Sequence, residues 1–341
     1  MRRTLLICML AALVGGCGGS AEVHERDLVV QDSAGASGRP PAPATAKDRG
    51  GGVRIAVVTH GQAASGFWSI VKNGIDAGAR EMDVTVVYRA PDIYSVARMR
   101  QLIDEAVADR PDGLVVSIPT PALGGAIRRA VRAGIPVVSI NSGSDVFHRL
   151  GVLAHVGQEE LPAGEAAGKR LAAAGVRHAL CLNHEVGNAG PDDRCRGFTR
   201  AMRAAGGTSR TVPIDVRDQP TGRRQMAAAL ADRSVDGLLT LSSDGAQIAL
   251  AALRSRDPGG RIALGTFDLS PEVLHAVKRG RILFAIDQQA YLQGYLPIML
   301  LTKLVRYGLF PSEDEVIPTG PHFVTRDTAD QAIRLSERGI R

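Results

Sequence analysis

From Val53 onward the chain alternates short, nearly continuous apolar runs with longer stretches whose apolar residues recur every three or four positions. Ile55-Ala56-Val57-Val58 is the first run, followed by a stretch near 67–81, then Val84 to Tyr88, then a stretch near 95–109. In that second stretch Val96, Met99, Ile103 and Val107 share one helical face, and Ser95 stands where a side-chain oxygen would cap the helix. Leu114-Val115-Val116 and Pro136-Val137-Val138-Ser139-Ile140 continue the rhythm, each after a helical stretch. It restarts beyond Val152 with Ala179-Leu180-Cys181-Leu182, Leu238-Leu239-Thr240-Leu241 and Ile262-Ala263-Leu264. Runs without polar alternation predict strands buried on both faces, and so parallel sheets flanked by helices. The repeat of the pattern predicts an α/β fold of two doubly wound parallel-sheet lobes.

The segment before Val53 has a different character. Arg2 and Arg3 precede a short apolar run, Thr4 to Gly16, which is below the roughly 20 residues needed to span a bilayer and suits an export signal. It ends in Val14-Gly15-Gly16-Cys17, which is similar to a bacterial lipobox and implies that residues 1–17 are a lipoprotein signal with its lipobox cysteine, Cys17 being lipidated and becoming the mature N-terminus. Residues 18–52, with Arg39-Pro40-Pro41-Ala42-Pro43 at their centre, lack the apolar content to build a core and are expected to form a disordered tether. The expected location is extracytoplasmic, with the bacterial membrane reached only through the lipid. With Cys8 and Cys17 assigned to export, Cys181 and Cys195 remain, and an oxidising compartment makes them candidates for a disulfide or, failing that, two buried thiols.

The formal charge of +6 becomes +4 when Arg2 and Arg3 leave, and the excess is scattered, which argues against nucleic acid as a partner. In doubly wound sheets ligands sit beyond the carboxyl ends of the strands. Those positions hold His60, Asn141, Ser242, Asp268 and Gln288, with Phe67 and Trp68 opening the first helix and Arg194 opening a later one. Amides, hydroxyls, single charges and aromatic faces suit a polyhydroxylated guest, because planar groups pair with neighbouring hydroxyls and rings cover C–H faces. Bland alternatives stand beside each. Phe67 and Trp68 would serve equally as core, Arg194 as a surface residue, Asp268 as a helix cap, Asn141 as a turn residue and His60 as structure. Neither a Gly-x-Ser-x-Gly elbow nor a phosphate-loop lysine is found, and His184-Glu185 lacks the second histidine of a zinc protease. No catalysis, cofactor or metal is therefore expected.

Over residues 53–341 the chain resembles the ribose-binding family of periplasmic proteins. The resemblance rests on Phe67-Trp68, Pro111-Asp112-Gly113-Leu114-Val115-Val116, Ala133-Gly134-Ile135-Pro136-Val137-Val138, Arg194-Cys195-Arg196-Gly197-Phe198, Gly265-Thr266-Phe267-Asp268 and Ala285-Ile286-Asp287-Gln288-Gln289, in that order. It implies a lobe of 53–157 plus 289–320 and another of 158–288 plus 321–341, hinged by three crossovers. It also implies stacking on Phe67 and Trp68, a ligand-gripping Arg194, an aromatic–acid pair in Phe267-Asp268, and Gln288 beside the last crossover. Asn141-Ser142 replaces the family's Asp-Arg, Ile118 replaces an asparagine and is expected to add apolar wall, and His60 stands near a small hydroxyl residue of the family pattern. With Arg194 and Asp268 expected to neutralise one another, the guest is expected to be a neutral monosaccharide, deoxy sugar or polyol. The implied partner is the permease of an ABC importer, with a membrane kinase or chemoreceptor as the alternative, and the protein is expected to be monomeric.

Overall fold

The computed structural model describes residues 52–341, apart from 62–65, 92–93, 258, 312 and 314. Cys17, the expected signal and nearly all of the expected tether lie outside the described residues. Strands β1 (Arg54–Val58), β2 (Thr85–Arg89), β3 (Gly113–Ser117), β4 (Val137–Ile140) and β5 (Ala154–Gly157) belong to one sheet. Strands β6 (His178–Asn183), β7 (Thr208–Pro213), β8 (Gly237–Thr240), β9 (Ala263–Phe267) and β10 (Phe284–Asp287) belong to a second. The chain then returns to the first sheet with β11 (Glu315–Pro318) and to the second with β12 (His322–Val324). The orders are β11-β5-β4-β3-β1-β2 and β12-β10-β9-β8-β6-β7, with every pairing parallel except the antiparallel β10–β12. The fold is thus two α/β lobes with mainly parallel sheets.

The apolar runs follow from two-sided burial. Ile55 and Val57 pack on one face of the first sheet with Trp68, Ile75 and Leu301, while Ala56 and Val58 pack on the other with Met99, Ile103 and Ile127. In the second sheet Ala179 and Cys181 face Phe198 and Phe284, and Leu180 and Leu182 face Met226 and Leu274. Successive strand residues point to opposite faces, so a sheet covered on both sides demands apolar residues at both parities. Edge strands escape that demand. Strand β7 has a mixed exposed pattern and β11 is at most half-buried, and neither shows as an apolar run.

The helices are α1 (Gly66–Met82), α2 (Val96–Ala108), α3 (Gly124–Arg132), α4 (Glu160–Ala173), α5 (Ala189–Ala204), α6 (Gln219–Ala229), α7 (Ser243–Arg256), α8 (Pro271–Lys278), α9 (Ala290–Tyr307) and α10 (Ala329–Ser336). Ser95 caps α2 by accepting from Arg98 N–H. Each lobe brings two helices into backbone contact through a pair of glycines. A Cβ on Gly74 of α1 would lie 2.0 Å from the Tyr291 carbonyl of α9, and one on Gly294 would lie 2.0 Å from the Val71 carbonyl. In the other lobe a Cβ on Gly164 of α4 would lie 2.1 Å from the Arg194 carbonyl of α5, and one on Gly197 would lie 2.0 Å from the Leu161 carbonyl. Cys181 of β6 and Cys195 of α5 are joined by a disulfide, with a Cα–Cα distance of 5.6 Å. Among the described residues no helix is long and apolar enough to cross a membrane.

Candidate functional site

Both sheets reverse their strand order beside their first strand, between β1 and β3 and between β6 and β8. A crevice forms beyond the strand ends at such a point because the connections on either side leave in opposite directions. The two crevices face one another across a cavity of about 430 Å³. From the first lobe it is lined by His60 after β1, Phe67 and Trp68 on α1, Tyr94 and Asn141 after β4. From the second come His184 and Glu185 after β6, Asn188 and Arg194, Ser242 and Ser243 after β8, Asp268 after β9 and Gln288 after β10.

The lobes touch around this cavity. The Ala189 N–H donates to the Pro119 carbonyl at 2.9 Å. The Asn188 amide lies 3.3 Å from His60 Nε2 and donates to Glu185 at 2.7 Å, and Ser142 Oγ donates to Asn188 Oδ1 at 3.4 Å. His60 is buried. Its ring Nδ1 lies 2.8 Å from Ser117 Oγ, which also accepts from the His60 backbone N–H, and Trp68 and Tyr94 present their rings edge-on to it. Burial holds the imidazoles of His60 and His184 below their ordinary pKa, against the opposing pull of Glu185, so both are neutral at pH 7. Gly61 is obligatory under Trp68, since a Cβ there would overlap the indole nitrogen at 1.8 Å.

The second lobe carries a buried polar network. Arg194 gives its Nε–H to Glu160 Oε2 at 2.6 Å and an Nη2–H to Glu160 Oε1 at 2.8 Å. Its Nη2 also donates to Gln288 Oε1 at 2.7 Å, and its Cζ sits 4.5 Å above the Phe267 ring. Gln288 uses the other end of its amide to donate to Asp268 Oδ1. Gln158, just after β5, donates to Glu160 at 2.8 Å and to Gln288 at 3.3 Å. Burial would weaken the Arg194 charge, but the Glu160 carboxylate overrides it and holds the guanidinium above its ordinary pKa. Asp268 meets the reverse balance. Burial dominates over attraction to Arg194, and its carboxyl is pushed up to about 6.

The family model described as a periplasmic binding protein domain matches residues 55–308. The chain belongs to the periplasmic binding protein family. Among solved structures, this periplasmic binding protein is 34% identical to a carbohydrate transporter from Acidothermus cellulolyticus crystallised with myo-inositol, with a TM-score of 0.80 over 85% of this chain and 100% of that one. It is 25% identical to the xylose/arabinose-binding protein of Sulfolobus acidocaldarius, over 76% of this chain and 68% of the relative. It is 23% identical to the ribose import binding protein of Haemophilus influenzae, over 70% of this chain and 82% of the relative.

The cavity gathers His60, Phe67, Trp68, Asn141, Arg194, Ser242, Asp268 and Gln288. Phe267 is a correction: it is fully buried in the second lobe's core and acts as a platform under Arg194, because its side chain leaves β9 toward α4 and α5. Ile118 likewise forms no wall, for it is buried with Leu123, Ile127 and Phe147 in the first lobe. The expected mutual neutralisation of Arg194 and Asp268 is also corrected, since the bidentate partner of Arg194 is Glu160. Asp268 caps no helix: Ser270 caps α8, and Asp268 and Asn141 adopt left-handed backbone at φ 66° and 64°, which turns each chain sharply at a strand end. Tyr94, Glu160 and Glu185 were missed. The strand-end rule reaches Glu185, and Tyr94 by extension beyond β2. Glu160 had no local signal, because its importance comes from a partner 34 residues away.

Proposed function

We propose that this protein is the extracytoplasmic, monomeric binding component of an ABC sugar importer, held at the membrane by lipid on Cys17, and that it closes its two lobes over a neutral polyhydroxylated ring. The observation that carries the reading is the arrangement around Gln288. The two ends of one amide hold Arg194 and Asp268 in a fixed relation at the cavity wall. Among the described residues Arg194 Nη1 and Asp268 Oδ2 have no hydrogen-bond partner, which leaves one fork of donors and one acceptor for neighbouring hydroxyls. A hydroxyl can accept from the guanidinium while it, or its neighbour, donates to the carboxylate, and such charge-assisted bonds are the stronger class. Asn141, Ser242 and Glu185 add further acceptors and donors, and Phe67 and Trp68 offer ring surface for the guest's C–H face.

Electrostatics favours an uncharged guest. Glu160 neutralises Arg194 within its own lobe, so among the described residues no buried cation of the cavity wall is left over for an acid. The myo-inositol, xylose, arabinose and ribose in the names of the relatives are ligands of this chemical kind. The chain passes between the sheets at 158–159, 288–289 and 319–321, and we assign the hinge to these segments, with lobes of 53–157 plus 289–320 and 158–288 plus 321–341. Three strands resist twisting and leave opening and closing as the soft motion. Trp68 is the single tryptophan of the chain and lines the cavity, so its fluorescence reports occupancy directly. Titration with myo-inositol, D-xylose, L-arabinose, D-ribose, D-glucose and D-galactose is expected to give a saturable change with at least one. A folded protein that answers none of them by fluorescence or calorimetry ends the reading.

A further inference from the structure

Glu160 lines no part of the cavity, yet it takes the edge of Arg194 best suited to bind an acid. A guanidinium meets a carboxylate most strongly through two parallel N–H donors, and Arg194 spends its Nε and Nη2 pair on Glu160. We propose that Glu160 sets the charge selectivity of the cleft: from behind the cavity wall it takes the paired donors of Arg194 and neutralises its charge, and so closes the site to acidic sugars without touching the guest. This rests on the sugar-site reading above and names the residue that shapes its ligand class.

The charges facing Arg194 agree. Burial keeps His60 and His184 neutral, while Glu185, Asp244 and Asp268 line the same cavity with carboxylates. The other lining cation, Arg217, sits exposed at the rim. With Glu160 in place, an acidic guest would meet a neutralised guanidinium and a surplus of negative charge. Without it, the buried Arg194 would lose its paired carboxylate and keep only the unpaired attraction of Asp268 and Glu185, which makes it a stronger attractor for a carboxylate in a low-dielectric site. The contact is built into the packing: Gly164 and Gly197 let α4 and α5 approach to backbone distance, which brings the first turn of α4, carrying Glu160, against Arg194. Gln158 donates to the same carboxylate oxygen that accepts the Arg194 Nε–H.

The test is calorimetry on the whole chain and on Glu160→Gln, using the neutral panel above with D-glucuronate and D-galacturonate. The parent is expected to bind a neutral member and neither acid. Glu160→Gln is expected to bind at least one acid and to move the acid-to-neutral preference by about a hundredfold. Loss of neutral binding or of thermal stability with the acids still rejected means that Glu160 is a structural brace alone, and overturns the inference while leaving the sugar site standing. Should Glu160→Gln not fold, Arg194→Gln serves in its place: it weakens binding of every sugar but leaves the carboxylate bare, so that competition at saturating sugar is expected to favour D-glucosamine over D-glucose relative to the parent, and an unchanged preference overturns the inference. A parent that binds no neutral sugar removes the sugar-site reading, and this inference with it.

Discussion

Asp268→Asn is expected to stabilise the ligand-free protein at neutral pH while weakening its binding. Asp268 turns a strand end at φ 66°, a backbone region that asparagine also tolerates, so the exchange introduces no new strain. What it removes is a charge held at some cost. Burial lifts the carboxyl from an ordinary 3.8 to about 6, against the attraction of Arg194 and the hydrogen bond from Gln288. A folded-state pKa above the unfolded one means that the native protein binds the proton more tightly. The stabilising effect of that proton is complete below about pH 4 and lost as pH rises through about 6. The lift corresponds to about 3 kcal/mol at neutral pH, or about 2 after allowance for the part of the side chain still open to solvent. Asparagine carries no such term. Urea denaturation of parent and variant from pH 4 to 8, without ligand, is therefore expected to give matching stabilities near pH 4. The variant's advantage should open between pH 4 and 6 and level off above 7. A variant that is less stable than the parent at pH 7.5, or a difference that does not change with pH, would refute the argument that desolvation outweighs attraction at this carboxylate. In the same variant the lost acceptor is expected to weaken sugar binding by roughly tenfold or more.

Arg194→Met is expected to abolish tight binding and to cost about 3–5 kcal/mol of stability, because it strands the buried Glu160 carboxylate; adding Glu160→Gln should recover part of that loss in the same denaturation experiment. Gly197→Ala would place a methyl 2.0 Å from the Leu161 carbonyl and 2.9 Å from Glu165 N, so α4 and α5 must part. A stability loss of about 1–3 kcal/mol is expected, with weaker sugar binding as the Glu160–Arg194 contact lengthens, and normal affinity would show that the contact survives the separation. Titration of the unreduced, denatured protein should find neither Cys181 nor Cys195 free, and the double serine variant should lose about 3 kcal/mol for a loop of this length.

The architecture and a good part of the cavity wall are legible without coordinates. Ile55 to Val58, Leu114 to Val116 and Leu238 to Leu241 are apolar at both parities because helices cover both faces of each sheet, and such runs are legible without coordinates. Once the strands are placed, the rule that ligands gather at their carboxyl ends brings His60, Asn141, Ser242, Asp268 and Gln288 together. The edge strands β7 and β11 stayed hidden, since one exposed side relieves them of the apolar requirement. Side-chain direction and charge partnership come from packing instead. Phe267 and Asp268 are neighbours in sequence, yet one is core and the other cavity, because the strand's pleat sends them opposite ways and a left-handed turn follows. Arg194 and Glu160 are partners because a pair of glycines on separate helices, Gly164 and Gly197, lets the two helices meet at backbone distance. An ion pair depends on separations of a few ångströms between atoms whose relation is fixed by packing, and no local pattern of residues encodes that distance.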